Sequence, residues 1–227
     1  MTTHEVVRRS RRLKEPAAPK IPATLADAKL LDNDLSDDGI YLSLHYDSLD
    51  LSASRAEDVE FERCRFRETS FSTTTLSRAN FTDVEFTGCD LANLRLSDSR
   101  VFNAVVDRSR MTGTTMTDCG FRDVLFSGCR ADLSSFRFGR FKNVVFRNCN
   151  LTEANFQGAD LTGARFEGSK LVGAQFSNAK MQGARLSDCD LWGVAGIQSF
   201  EGAIVAAADA QSLVFALASA MGITIED

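Results

Sequence analysis

The chain has 227 residues, a formal net charge of −5 and 44% hydrophobic residues, so it is long and apolar enough to bury one sizeable core. It contains no run of 18 apolar residues, and its N-terminus lacks the apolar core of a signal peptide. We therefore expect neither a membrane span nor secretion, and we predict a cytoplasmic location.

Residues 1–22 are predicted to form a disordered basic tail. This segment carries six Lys and Arg residues against two Glu, and it holds all three prolines of the chain, Pro16, Pro19 and Pro22. No apolar pattern runs through it, which is typical of a solvated segment. The cluster between Arg8 and Lys14 could contact nucleic acid or an acidic partner. A tail without any partner is the simpler interpretation, and we favour it.

Residues 23–40 carry Leu25, Leu30, Leu35 and Ile40 at intervals of five. The interval matches that of the following region, but the phase differs by one place. We therefore predict that this segment is an N-terminal cap or an irregular first coil.

From Tyr41 to Leu191, every fifth residue is apolar without exception. A period of five fits neither a strand, with its period of 2, nor a helix, with its period of 3.6. The chain must therefore turn a corner about once per repeat, with this column facing inward. The phenylalanines that best define the register are Phe61, Phe66, Phe81, Phe86, Phe121, Phe126, Phe146, Phe166 and Phe176.

A second column lies two residues before each apolar centre and holds small or compact residues from Val59 to Cys189. All six cysteines belong to it, so we expect them to be buried packing residues rather than a disulfide framework. The other three positions of each repeat are rich in polar residues and glycine, as turns and an outer wall require. One large and one small inward column predict a narrow tube with a filled interior.

Segments such as 154–158 (ANFQG), 159–163 (ADLTG) and 164–168 (ARFEG) resemble the A-(D/N)-(L/F)-X-X unit of the pentapeptide-repeat family. The resemblance extends over about residues 39–193. It implies an all-β solenoid, namely a right-handed quadrilateral β-helix with one pentapeptide per side. We accordingly assign residues 41–193 to the β-helix, in nearly eight coils.

Residues 194–227 leave the repeat and are predicted to form a C-terminal cap or dimerisation segment. Asp209 is expected to cap a helix over 211–221 that stops at Gly222, and a short strand is expected at 223–225. By resemblance, such extensions close the rod, and in gyrase-directed members they pair two rods end to end. A homodimer and a plain monomer cap therefore both stay open. The candidate cap and dimer residues are Leu213, Val214, Phe215, Leu217 and Met221.

The sequence offers no pattern typical of a catalytic, cofactor or metal site. Its two histidines, His4 and His45, have no Cys or His at ligand spacing, and no phosphate-binding glycine motif occurs. We therefore predict that the protein is not an enzyme and binds no cofactor and no metal. The outward aromatic residues Phe102, Phe138 and Trp192 could each anchor a partner, but they are not expected to form one patch.

The predicted function is that of a non-catalytic, protein-binding β-helix. By resemblance to the fluoroquinolone-resistance members of the family, the partner would be DNA gyrase or another type II topoisomerase, bound through mimicry of DNA. A DNA mimic requires a strongly negative surface, whereas residues 41–192 carry a net charge of only −1. The alternative is a general scaffold for an unknown protein partner. Direct binding of nucleic acid by the rod is not expected.

Overall fold

A computed structural model describes residues 13–29 and 34–225. Nearly all its strand pairs join residues 20 apart in the sequence: Phe61 lies beside Phe81, and Phe126 beside Phe146, in parallel strands. Twenty residues are four pentapeptides, so each coil has four sides. The chain is a right-handed quadrilateral β-helix of roughly nine coils with one short C-terminal helix, which confirms the predicted fold class.

The strands are β1 (Ala26–Asp27), β2 (Ile40–Leu42), β3 (Leu44–Asp47), β4 (Arg55–Glu57), β5 (Glu60–Glu62), β6 (Arg65–Arg67), β7 (Thr75–Ser77), β8 (Asn80–Thr87), β9 (Arg95–Ser97), β10 (Arg100–Asp107), β11 (Thr115–Thr117), β12 (Gly120–Ser127), β13 (Arg140–Arg147), β14 (Arg165–Glu167), β15 (Arg185–Ser187) and β16 (Ile204–Val205). Two 3₁₀ turns, Ile197–Phe200 and Ala210–Leu213, precede the helix α1, Val214–Ala220. The eight-residue strands β8, β10, β12 and β13 cross a corner and join two sides of the rod.

Both predicted inward columns are buried along their whole length, which confirms the register. The nine register phenylalanines are each at most 7% exposed. Their rings stack one coil above the next, as Phe126 and Phe146 do with centroids 4.8 Å apart and planes at 6°. This distance equals the spacing between neighbouring strands, so the backbone ladder itself sets the aromatic stacking.

The small inward column accepts Ser, Thr and Cys because their side chains find a partner inside the tube. Thr114 Oγ1 donates a hydrogen bond to the carbonyl oxygen of Leu91 at 2.7 Å, and Ser169 Oγ donates to that of Phe146 at 3.1 Å. The Cys129 thiol makes the same contact with Val106, at 3.2 Å. A buried polar group with a partner avoids most of its desolvation cost.

The corners of the coils require a left-handed backbone conformation. Asp and Asn often occupy the corner position, as at Asn143 (φ 53°), since they tolerate this region better than other residues with a side chain. Gly158 (φ 68°) is needed for a second reason as well. A Cβ atom there would lie 2.6 Å from the ring of Phe138 in the preceding coil.

The phenylalanine ladders are interrupted at one level of the rod. Val101 and Val106 occupy adjacent sides of one coil, between Phe81 and Phe121 and between Phe86 and Phe126. The missing rings leave an apolar cavity of about 30 Å³. Interior packing is therefore looser in the middle of the rod than on either side.

At the N-terminal end, β1 pairs with β3, and Ala28 joins the core while Leu35 packs against it. Tyr41 donates its hydroxyl hydrogen to the carbonyl oxygen of Asp34, which ties residue 34 to β2. Residues 30–33, including Leu30, lie outside the described residues. A cap or irregular first coil at 23–40 stays our assignment.

At the C-terminal end, Asp209 occupies the N-cap position of the 3₁₀ turn 210–213, but the predicted capping by its side chain is wrong. Asp209 is 6% exposed and makes no cap hydrogen bond. Its Oδ2 instead accepts the backbone N–H of Cys189 at 2.9 Å. Ser169 Oγ does the same for the N–H of Cys149 two coils earlier, so Asp209 supplies the acceptor that the next coil would have provided.

The helix is also shorter than predicted, since 210–213 is a 3₁₀ turn and α1 spans only Val214–Ala220. The stop at Gly222 is confirmed: its φ is 72°, and Ile223 and Gly222 donate backbone hydrogen bonds to Ala218 and Ser219. The predicted strand at 223–225 is wrong, because these residues form no strand. The last strand is β16, which pairs with β15.

Candidate functional site

The polar wall of the rod is organised in ion pairs between adjacent coils. Arg78 lies 2.7 Å from Asp58, and Arg65 lies 3.0 Å from Glu85, each pair being 20 residues apart. The hydrogen bond from Arg78 lowers the pKa of Asp58 below its ordinary value. These carboxylates are thus already matched by an arginine of the same wall, which reduces the negative charge that they present to a partner.

Residues 13–22, here called the arm, lie against the outside of this wall. The backbone N–H of Lys20 donates to Asp83 Oδ1 at 2.9 Å, and Asn143 Nδ2 donates to the carbonyl oxygen of Glu15 at 3.4 Å. The prediction of a disordered tail is therefore wrong for this half of residues 1–22. Residues 1–12, with the Arg8–Arg12 cluster, lie outside the described residues.

Two arginines hold the side chain of Glu15, and we call this group the carboxylate clamp. Arg147 Nη2 lies 3.0 Å from one carboxylate oxygen of Glu15, and Arg165 Nη2 lies 3.0 Å from the other. Arg165 also donates to the carbonyl oxygen of Lys14, and Glu167 completes the clamp by pairing with both arginines. The Arg165 side chain is only 8% exposed.

The clamp changes the acidity of Glu15. Partial burial alone raises the pKa of Glu15, but hydrogen bonds and positive charge from Arg147 and Arg165 outweigh it, and the pKa falls below 4.5. Glu15 is thus an ionised, charge-matched anchor at neutral pH.

Between its two anchors, the arm crosses the coils that carry three apolar wall residues. Val105, Leu125 and Val145 stand one above another at 20-residue spacing on β10, β12 and β13. Val145 alternates with the inward residues of its strand, lies outside the core cluster and is nevertheless 0% exposed. It is therefore covered from outside, on the side of the rod where the arm lies.

These features together define the arm groove. It consists of the apolar stripe (Val105, Leu125 and Val145), the carboxylate clamp (Arg147, Arg165 and Glu167), and the corner residues Asp83, Asn103, Asp123 and Asn143. Sequence reasoning missed the groove because a period of five assigns all these positions to a solvated wall. The available signal was a second period, since three apolar residues exactly one coil apart are unusual in a wall column.

The C-terminal cap presents an apolar surface, which we call the apolar end. Of the five candidate cap and dimer residues, Leu213 alone is buried against the core. The side chains of Val214, Phe215, Leu217 and Met221 are 47 to 75% exposed. Trp192, itself 54% exposed, packs edge-on to Phe215 with ring centroids 5.1 Å apart, so this predicted outward aromatic belongs to the same surface.

The two other outward aromatics lie apart from the apolar end. The guanidinium of Arg122 lies 5.3 Å from the ring centre of Phe102, and that of Arg137 lies 5.1 Å from the ring centre of Phe138. Each ring is therefore partly used within its own wall.

Within residues 13–29 and 34–225, no group of three His, Cys, Asp or Glu residues is arranged to hold a metal ion. The six cysteines are free and buried. No helix in the same part of the chain is long and apolar enough to cross a membrane. His45 lies 3.5 Å from Asp27, a contact that joins β3 to β1 at the N-terminal end.

Family profiles of pentapeptide repeats match the repeat region of the chain. The profile of the pentapeptide repeat region matches residues 79–156 and 139–195, and that of pentapeptide repeats in eight copies matches 50–83 and 57–93. A comparison with curated proteins gives no match.

Among solved structures, the chain is similar to QnrB1, a plasmid-mediated fluoroquinolone resistance protein, at 20% identity and TM-score 0.38, over 83% of this chain and 100% of that one. It is similar to a pentapeptide repeat protein of the Arabidopsis thaliana thylakoid lumen at 23% identity and TM-score 0.41, over 43% and 69% of the chains. It is also similar to HetL of the cyanobacterium Nostoc, involved in heterocyst differentiation regulation, at 17% identity and TM-score 0.31, over 70% and 89%. With family profiles covering more than half of its length, the chain belongs to the pentapeptide-repeat family.

Proposed function

We propose that this protein is a non-catalytic, protein-binding scaffold that pairs with a second copy through its apolar end. The observation that carries the proposal is the exposure of Phe215, Leu217 and Met221 on a cap whose inner residue, Leu213, is firmly buried. Contiguous exposed apolar residues on a folded surface mark interaction sites. Here they lie at the end of the rod, beyond the last coil, where a second rod would continue the stack.

End-to-end pairing also suits the backbone of this end. The strand β16 pairs with β15 and is the last strand of its sheet, so no further strand of the described residues pairs with its outer edge. A two-fold axis through this end would place each apolar helix against its copy, as an isologous interface requires. The monomer cap is the competing assignment.

Light scattering coupled to size exclusion tests the pairing. We expect the full chain to elute with the mass of a dimer, and the double variant Phe215→Glu, Leu217→Glu to elute as a monomer with an unchanged far-UV spectrum. Gln211→Glu, also exposed in the same segment, is the matched control and should stay dimeric. A full chain that is monomeric at high micromolar concentration would assign the apolar end to capping alone.

A second candidate function is modulation of DNA gyrase or another topoisomerase, which this protein would bind by mimicking DNA. Two observations favour it: the strand register runs at 20 residues from β2 to β15 without an inserted loop, and residues 193–227 carry four acids and no base. The coil-to-coil ion pairs oppose it, because each neutralises a carboxylate of a wall whose net charge over residues 41–192 is only −1. We therefore place it second to the scaffold.

A gyrase supercoiling assay separates the two candidates. Inhibition, or protection of the enzyme from a fluoroquinolone, at micromolar protein would support the topoisomerase candidate, with the monomeric double variant as the comparison. No effect at that concentration would leave the protein-binding scaffold as the proposed function.

We further propose a cytoplasmic location, because six free, buried thiols suit a reducing compartment.

A further inference from the structure

The arm groove makes three kinds of polar contact with the segment that occupies it. It accepts a backbone N–H at Asp83, it donates to backbone carbonyls from Asn143 and Arg165, and it binds a carboxylate in the clamp. It also offers an apolar stripe to small side chains. Most of these contacts read an extended backbone and one acidic group rather than a unique sequence, which is how known peptide-binding grooves operate.

The arm is extended where it crosses the groove. Its anchors at Asn143 and Asp83 are three coils apart, which corresponds to about 14 Å at the spacing of neighbouring strands. The five residue-to-residue steps from Glu15 to Lys20 would span about 15 Å in a polyproline II conformation. Pro16 and Pro19 fix the backbone torsion that this conformation requires, so little entropy is lost when the segment docks.

The arm is bound as a removable occupant rather than as part of the core. No arm residue belongs to the core cluster, and the Glu15 side chain remains 56% exposed while it is clamped. By contrast, the groove residues Val145 and Arg165 are almost completely buried. The rod therefore provides the buried half of the contact, and the arm provides the exposed half.

We propose that the arm groove is a peptide-binding surface that accepts, in trans, an extended segment of a partner protein with an acidic residue followed by proline. The arm is then a resident competitor, held at a high effective concentration by its covalent link. This deepens the proposed scaffold function by naming one surface and the chemistry of its partner. It does not involve the apolar end, so its test and that of end-to-end pairing can fail separately.

The test measures binding of a fluorescein-labelled synthetic peptide with the sequence of residues 13–22 by anisotropy. The receptors are the full wild-type chain and the full-length Glu15→Lys variant, whose arm should be repelled by Arg147 and Arg165. We expect the variant to bind the peptide at least 10-fold more tightly than wild type. Adding Arg147→Ala to the variant should weaken binding at least 10-fold, whereas Arg95→Ala, which removes an exposed charge on the opposite wall, should not.

Hydrogen exchange over 13–22 first establishes that the arm of the Glu15→Lys variant has detached. No saturable binding to that detached variant would overturn the proposal. Equal binding to wild type, the variant and its Arg147→Ala derivative would also overturn it, because peptide binding would then not depend on the clamp. A protein carrying Phe215→Glu could still dimerise, and Glu15→Lys could abolish that remaining dimerisation. The groove would then bind the arm of a second copy, which would contradict the proposal.

Discussion

Glu15 and Arg165 are 150 residues apart in the chain, and their side chains meet at 3.0 Å on the outer wall of the rod. From this contact near the C-terminal end of the β-helix, the chain runs along the outside of the rod to its first coil. It joins a segment with the composition of a disordered tail to a wall that looks uniformly polar in sequence.

This pair makes docking of the arm dependent on pH. Because the pKa of clamped Glu15 is lowered, the docked state gains stability that is fully present above the ordinary value of 4.5 and is lost as the pH falls through the lowered value. The charged groups that face it are Arg147, Arg165 and Glu167. We therefore expect the arm to stay docked at pH 5 and to detach only at lower pH.

A dye attached to an Ala18→Cys variant reports this transition through its anisotropy, since residue 18 is exposed and the native thiols are buried. In the Glu15→Gln background, the anisotropy should be lower at pH 7 and the acid transition should shrink. An unchanged transition in that background would show that Glu15 does not control docking.

The native thiols should be unreactive in the folded protein. Burial raises the pKa of Cys89 and of Cys119 to about 11, so only about one molecule in 10⁴ carries either thiolate at pH 7. Titration with a disulfide reagent should detect no thiol in the native state and six after denaturation. The Ala18→Cys variant should add one fast-reacting thiol, and rapid reaction of a native cysteine would contradict the predicted burial.

A charge placed in the inward column should unfold the rod. Phe146 is 1% exposed and stacks with Phe126 and Phe166, so Phe146→Asp leaves a carboxylate without a partner among aromatic rings. We expect a loss of more than about 4 kcal/mol, or no folded protein. Lys142→Asp, exposed on the same strand, should cost under about 0.5 kcal/mol by urea denaturation. Comparable losses for both would disprove the register.

Arg147 shows why the structure is needed even to choose such a control. Its position next to Phe146 makes it an ordinary wall residue by the five-residue period, yet it pairs with Glu15 and Glu167. The period predicts which residues face inward because that is decided locally, within each pentapeptide. Contacts of the arm depend on where a distant segment returns, and no local period encodes that.

The C-terminal cap illustrates the same limit. The local pattern before the helix predicts an N-cap at Asp209. The carboxylate instead accepts the N–H of Cys189, which has no following coil to provide an acceptor. The sequence does predict the exposure of Phe215 and Leu217. A helix that is apolar on more than one face cannot bury all its side chains against the narrow end of the rod.

Filling the cavity in the middle of the rod should stabilise the protein. Val106 lies between Phe86 and Phe126 in one ladder, and the two rings are two coils apart, which leaves room for one stacked ring. Val106→Phe should raise the free energy of unfolding by about 0.5–2 kcal/mol, seen as a higher urea midpoint. Val124→Phe, in the small inward column, should lower it by about 1–3 kcal/mol through overpacking. A destabilised Val106→Phe would mean that this cavity is too narrow for a ring.

The acceptor role of Asp209 can be tested with a pair of substitutions. Asp209→Ala removes the oxygen that receives the N–H of Cys189 and leaves a buried donor unpaired, so we expect a loss of about 1–3 kcal/mol. Asp209→Asn keeps an acceptor oxygen and should recover most of that loss. Hydrogen exchange at the Cys189 amide distinguishes this role from helix capping. It should accelerate in Asp209→Ala and stay slow in Asp209→Asn, whereas a capping role would change exchange only at the start of the 3₁₀ turn and α1.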